Sequence, residues 1–307
     1  MGKIIMTHYL IITSTKDKAS LNIRDKLLGS KSYKFTRSID KWHNNALFEL
    51  EEITSGDPTS QNLLDENSVF LGTTNKRLIF LDDLKLNDSN IDPDILIFAS
   101  RHASKTGRPS FLVHTTGNWG GDIRYGGKRK ELSQASALML KSGYLSLVKN
   151  AQKRDVESFS IDIEVSHHGP TTLERPLLFI ELGSRASEWH DNEGGIVVAD
   201  AIIDAIKKYE EFRTRRSQKI GVGFGGTHYA PQFQKLIKEH DVAISYICPK
   251  YFIKGLDRDL ISQMINKNVE SVDFFILDWS GINSDGKKHL IPLLEEFEIP
   301  LRKIKEF

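Results

Sequence analysis

Ile95-Leu-Ile-Phe-Ala-Ser100 runs without a break into Arg101-His102-Ala-Ser-Lys105-Thr-Gly107-Arg108-Pro109. A short apolar run closed by a polar Gly/Pro loop suits a strand covered on both faces and is too short for a buried helix. The pattern recurs in LLFIEL (Leu177 to Leu182) and FFILDW (Phe274 to Trp279). Further strand candidates are Ile4 to Ile12, Leu47 to Ile53, Val69 to Gly72, Leu78 to Leu81, Phe111 to His114, Ser158 to Val165, Ile220 to Phe224 and Ala243 to Ile247. Between them lie amphipathic segments with helical spacing: Glu131 to Ala151, Gly195 to Phe212, and a helix opened by Pro231 and ending near His240. Buried strands alternating with helices predict an α/β fold, a layered mixed sheet with helices on both faces. Without a long linker or a repeat, residues 1–307 read as a single compact domain, with two intimately packed lobes as the alternative.

Composition narrows the function classes. At 307 residues the chain can bury a substantial core, and 39% hydrophobic with 27% charged residues is ordinary globular usage. Forty-two Lys+Arg against 41 Asp+Glu leave a net charge of +1, so an RNA partner must be met by local patches rather than a basic field. The one cysteine, Cys248, excludes an internal disulfide and a CxxC metal site, and points to a cytoplasmic protein whose metal, if any, sits on His and carboxylates. The opening run MGKIIMTHYLIITST is broken by His8 and Tyr9 and has no small-residue cleavage site, which reads as a first strand rather than a leader. No apolar stretch is long enough to span a membrane.

The ends of the apolar strands carry the unusual residues: Arg101 to Pro109, His114 to Gly120, Ser166 to Thr171, Glu181 to Ser184, and Gly221 to Pro231. Five of the ten histidines, His102, His114, His167, His168 and His228, fall there. In layered α/β folds ligands collect at the carboxyl ends of central strands. A lone histidine after a strand is ordinarily structural, and clustering with glycine turns is what lifts these five. In an extended strand His167 and His168 would face opposite sides, so one imidazole is expected in the site and the other packed against it. The GVGFGG turn (Gly221 to Gly226) fits neither the dinucleotide fingerprint nor a P-loop; it reads as close backbone packing or as N–H donors for an anion. Arg213, Arg215 and Arg216 suit a helix C-terminus, whereas Lys128, Arg129 and Lys130 precede the expected Glu131 helix, where cations oppose the dipole and a phosphate partner explains them better. Trp119 and Tyr125 are candidate stacking surfaces for a terminal base, with buried packing as the default.

SRHASKTGRPS (Ser100 to Ser110), HTTGNWG (His114 to Gly120), SHHGPTT (Ser166 to Thr172), ELGS (Glu181 to Ser184) and GFGGTHYAP (Gly223 to Pro231) together resemble the archaeal and plant type of D-aminoacyl-tRNA deacylase. The motifs occur in family order; Thr227 stands where the family turn is expected to carry a further glycine. The resemblance implies a phosphorylase/hydrolase-like α/β fold, a zinc-dependent monomer, and hydrolysis of the ester between a D-amino acid and tRNA. That reaction needs a positioned water, a base and an oxyanion stabiliser. The residues offer His102 and His168 as base or water-positioning groups, Gly225, Gly226 and Thr227 as backbone donors, and Lys105 as a charge stabiliser. His102, His167, Glu181 and His228 are the expected zinc ligands. The tRNA contacts are expected at Lys105, Arg108, Trp119, Lys128, Arg129 and Lys130. A metal-dependent peptidase, a nucleoside phosphorylase-like enzyme and a non-catalytic aminoacyl-tRNA binder remain open as alternatives.

Overall fold

A computed structural model of the chain describes residues 7–54 and 59–307. The elements run β1 Thr7–Ser14, α1 Lys18–Leu28, β2 Tyr33–Trp42, β3 Asn45–Ile53, α2 Thr59–Glu66, β4 Asn67–Thr74, β5 Ile95–Ala103, β6 Ser110–His114, β7 Gly117–Asn118 and β8 Glu131–Leu132. They continue with α3 Ala137–Lys153, β9 Ser160–Ile163, β10 Leu177–Ser184, α4 Ala186–Trp189, α5 Asn192–Arg215, β11 Lys219–Phe224, α6 Pro231–Glu239, β12 Val242–Cys248, α7 Arg258–Asn266, β13 Phe274–Leu277, α8 Ser284–Glu295 and β14 Leu301–Lys303. Eight strands form one mixed sheet in the order β2-β3-β4-β1-β5-β10-β6-β9, with β4, β1, β5 and β10 mutually parallel at its centre. A second sheet, β12-β11-β13-β14, is parallel throughout.

Strict alternation along the central strands sorts the large sheet into two faces. Tyr9, Ile11, Ile97, Ala99, Ile180 and Leu182 enter a core shared with α1, α3 and α5. Their neighbours Leu10, Ile12, Leu96, Phe98 and Phe179 face the other way. That second face is covered by Leu78, Leu81, Leu84, Ile91 and Leu173, which belong to turns and loop segments rather than to long helices. The small sheet does have helices on both sides: Ile244, Ile247 and Ile276 join the core of α3 and α6, while Tyr246, Phe275 and Leu277 pack with α7 and α8.

Two expectations change. Leu78 to Leu81 is a 3-10 turn (Leu78–Phe80), not a strand; the i, i+3 spacing brings both leucines onto the sheet. The Glu131 helix begins only at Ala137, because Ser136 caps it by accepting from Met139 N, while Glu131 and Leu132 pair with Asn118 and Gly117. Lys128 to Lys130 therefore stand outside its first turn and the dipole argument for them lapses. Helix α1, unanticipated in the sequence, opens on Asp17, whose carboxylate accepts from Ser20 N. The part of the Ile4 to Ile12 strand before Thr7 lies outside the described residues.

Candidate active site

The face of the large sheet that lacks helices carries the chemistry. The alternation that points Leu96 and Phe98 to that face continues to Ser100 and His102 on β5. On β10 it runs from Leu177 and Phe179 to Glu181. His114, the last residue of β6, pairs with Phe179 in the antiparallel register. The site thus begins inside the strands, not only in the turns that follow them. His167 and His168 arrive on the loop after β9, and His228 on the loop after β11. A cavity of about 540 Å³ is lined by His102, His167, His168, Glu181, His228 and Trp119, among others.

The imidazoles converge. Ring centroids lie 4.2 Å apart for His114 and His167, 4.5 Å for His167 and His168, and 4.9 Å for His167 and His228. Both members of the doublet face the cavity because His168 has φ +44°, which breaks strand alternation. His114, His167 and His168 each direct Nδ1 at a backbone carbonyl, of Thr115, Val165 and Gly169, at 3.1, 2.8 and 2.7 Å. A carbonyl only accepts, so each Nδ1 donates and each Nε2 keeps its lone pair.

Two buried carboxylates organise the rest. Glu164 Oε1 is 2.7 Å from His228 Nε2, and its Oε2 is 3.6 Å from His102 Nδ1. Glu181 Oε2 is 3.4 Å from the same Nδ1, and its Oε1 accepts from Ser100 Oγ at 2.5 Å. Burial raises the Glu181 pKa, but His102 and His114 outweigh it and hold the carboxyl well below its usual range. Burial likewise presses His102 and His114 downward, and the carboxylates, Glu181 foremost, reverse this and raise both. Burial and the neighbouring imidazoles keep His167 and His168 neutral, with His168 lowered to about 4. His102 Nε2, His114 Nε2 and Glu164 Oε2 are buried without a hydrogen-bond partner. Buried polar atoms are normally satisfied, so three orphans in one cluster of imidazoles and carboxylates mark a place built for something else to bind.

The donor chemistry suits a borderline divalent ion. Three sets have ligand atoms within 4.8 Å of one another: His114, His167 and His168; Glu164, His167 and His228; and His102, Glu164 and Glu181. A family model described as D-aminoacyl-tRNA deacylase matches residues 89–302, which contain every one of these groups. The chain belongs to the D-aminoacyl-tRNA deacylase family. The D-aminoacyl-tRNA deacylase of Pyrococcus furiosus is 33% identical over 297 residues, 96% of this chain and 99% of the relative. That of Thermococcus kodakarensis is 34% identical over 290 residues, 94% and 96% of the two chains. The crystal structure of a conserved protein of unknown function, 29% identical, superposes with a TM-score of 0.78 over 98% of this chain and 97% of that one.

Among these family residues, the expected ligands His102, His167, Glu181 and His228 share the cavity but do not form one ligand set. Glu164 links them, and His114 completes the imidazole group. Neither carried a role in the sequence reading. The available signal was the spacing of Glu164 and His167, three residues apart in IDIEVSHH. Of the expected oxyanion donors, Gly225 already gives its N–H to Cys248 O at 2.8 Å, and Gly226 and Thr227 stand outside the cavity lining. Lys105 is exposed in the turn after β5, also outside the lining. Trp119 is buried, its indole N–H donating to Ser166 O at 2.6 Å, and presents no free face for a base. Arg108 pairs with Asp162, Lys130 with Asp257 at 2.7 Å, and Lys128 and Arg129 are exposed away from the cavity.

Proposed function

We propose that this cavity hydrolyses the ester joining a D-amino acid to the terminal ribose of tRNA, with zinc held among its histidines. The family decides between the readings left open by the sequence in favour of the ester hydrolase. The observation that carries the site assignment is the meeting of five imidazoles and two buried carboxylates around three unpartnered polar atoms.

His114, His167 and His168 would hold the ion, their Nδ1–H groups fixed on carbonyls so that the Nε2 lone pairs are presented ready-made. Glu164 and His228 stand beside His167 as a second ligand group. Zinc held there would supply Lewis-acid chemistry. His102 is the base: Glu181 and Glu164 flank its Nδ1 at 3.4 and 3.6 Å and favour the proton there, leaving Nε2 to take a proton from the attacking water. The water oxygen bonds to the ester carbon. When the tetrahedral intermediate collapses, the bond to the ribose oxygen breaks and His102 returns its proton to that oxygen. Ser100, donating to Glu181, keeps the carboxylate turned towards the imidazole. Incubation with D-tyrosyl-tRNA and L-tyrosyl-tRNA tests the assignment: release from the D-ester alone is expected, and release from neither contradicts it.

A further inference from the structure

Strands β1 and β4 pair in parallel up to Ser14 and Thr74, so the residues just beyond them, Lys16 and Arg77, come out on the same edge of the sheet. Both are exposed and both line the mouth of the catalytic cavity. Neither has an ion-pair partner among the described residues; Arg77 lies 5.2 Å over the Phe80 ring instead. Arg101, also in the lining, lies 5.0 Å over the Trp189 ring, whereas Arg124 grips Asp122 through both carboxylate oxygens, Arg108 meets Asp162 and Lys130 meets Asp257.

Beside the two free cations stand exposed aromatics. Tyr125 is 60% exposed and Phe80 40% exposed, an unusual position for rings of this size on a surface. They are neighbours: a Cβ on Gly126 would run into Ile79 O and come within 3.3 Å of Phe80 Cδ1. The backbone that carries Tyr125 is held, since its carbonyl accepts from Gly169 N and Asn118 Nδ2 donates to the carbonyls of Gly126 and Lys128; Arg124 lies 5.9 Å over the ring. Unpaired cations interleaved with exposed aromatic rings are the features that bind single-stranded nucleic acid, the cations meeting phosphates and the rings stacking on bases.

We propose that Lys16, Arg77, Phe80 and Tyr125 form the binding site for the single-stranded 3′ end of the substrate RNA, which places its terminal ester over the histidine cavity. This rests on the deacylase reading, and it moves the RNA contact from the Lys128 to Lys130 run, which lies outside the cavity lining, to residues at the mouth itself. Phosphates lie along the ends of β4 and β1, and the last bases stack on Tyr125 and Phe80.

The test uses the full chain and a fluorescently labelled RNA hairpin with a four-nucleotide single-stranded 3′ end, beside the same hairpin made blunt. The wild-type chain is expected to bind the overhang more tightly. Lys16→Ala/Arg77→Ala should weaken that binding about tenfold and reduce the slope of log K against log salt by about 1.4, two phosphate contacts at about 0.7 each. Tyr125→Ala should weaken it about tenfold while leaving the salt slope unchanged. Lys149→Ala/Lys153→Ala removes the same charge from a separate groove and should bind as the wild type does. Overhang binding that is unchanged in both rim variants, or equal for overhang and blunt hairpins, overturns the proposal. The deacylase reading fails by a different readout, namely D-tyrosyl-tRNA left intact by the wild-type chain.

Discussion

Two cavities open on the large sheet and its helices, and the larger is the quieter. The groove of about 950 Å³ between Tyr33, Asn67, α3 and α5 is full of charge, and several of its charges are matched. Lys149 pairs with Asp204 at 2.9 Å, Arg215 with Glu211 at 2.8 Å, and Asn150 also donates to Asp204. The histidine cavity has little more than half that volume, yet His102 Nε2 in its lining, and His114 Nε2 and Glu164 Oε2 in the cluster behind it, are buried without a hydrogen-bond partner. Volume shows where a molecule can fit. Unsatisfied buried donors and acceptors show where a molecule is expected, because folding would otherwise have carried their desolvation cost for nothing.

That contrast can be broken by experiment. Stripping metal with a chelator should abolish ester hydrolysis, and added zinc should restore it; full activity in a preparation shown by elemental analysis to be metal-free would remove zinc from the account. Next in size, His102→Ala should lower the single-turnover rate about 10²–10⁴-fold, the range for a lost acid–base group, and His168→Ala should lower it at least as much by removing a zinc ligand, with melting temperature little altered in both. Near-normal rates in both would return these imidazoles to a structural role. Gly126→Ala should act on the cavity wall: at φ +85° its new Cβ would meet Ile79 O, for a loss of about 2 kcal/mol of stability by calorimetry. Smallest of all, Lys149→Ala in the larger groove should change stability by less than about 0.5 kcal/mol and hydrolysis not at all, since the lysine is exposed and Asp204 keeps its hydrogen bond from Asn150. A rate defect there would erase the distinction between the two cavities.

The strand pattern around Ile95 to Ser100 carried the fold, because central parallel strands must be apolar on both faces and few other structures demand that. The five histidines were legible as a cluster for a related reason: His102 and His114 lie in the last residues of strands, and His167, His168 and His228 in the loops that follow them. What stayed hidden depended on pairing at a distance. Glu164 looks like an ordinary polar alternation in SIDIEV until the β9 loop carries it beneath His228. Lys16 and Arg77 are 61 residues apart, and only the Ser14–Thr74 register brings them together. The mistaken helix start at Glu131 came from reading Leu132 as part of a helical stripe, when its partner is Gly117 across a two-residue ladder.

Glu164→Gln tests the central claim most directly, because that one carboxylate joins His102, His167 and His228 into a single unit. The measurement is single-turnover hydrolysis of D-tyrosyl-tRNA, with zinc content and melting temperature taken on the same sample. The expected result is a folded protein with at least about a hundredfold slower hydrolysis and weakened zinc retention. A folded variant that cleaves D-tyrosyl-tRNA at the wild-type rate would contradict the claim that these histidines work as one site.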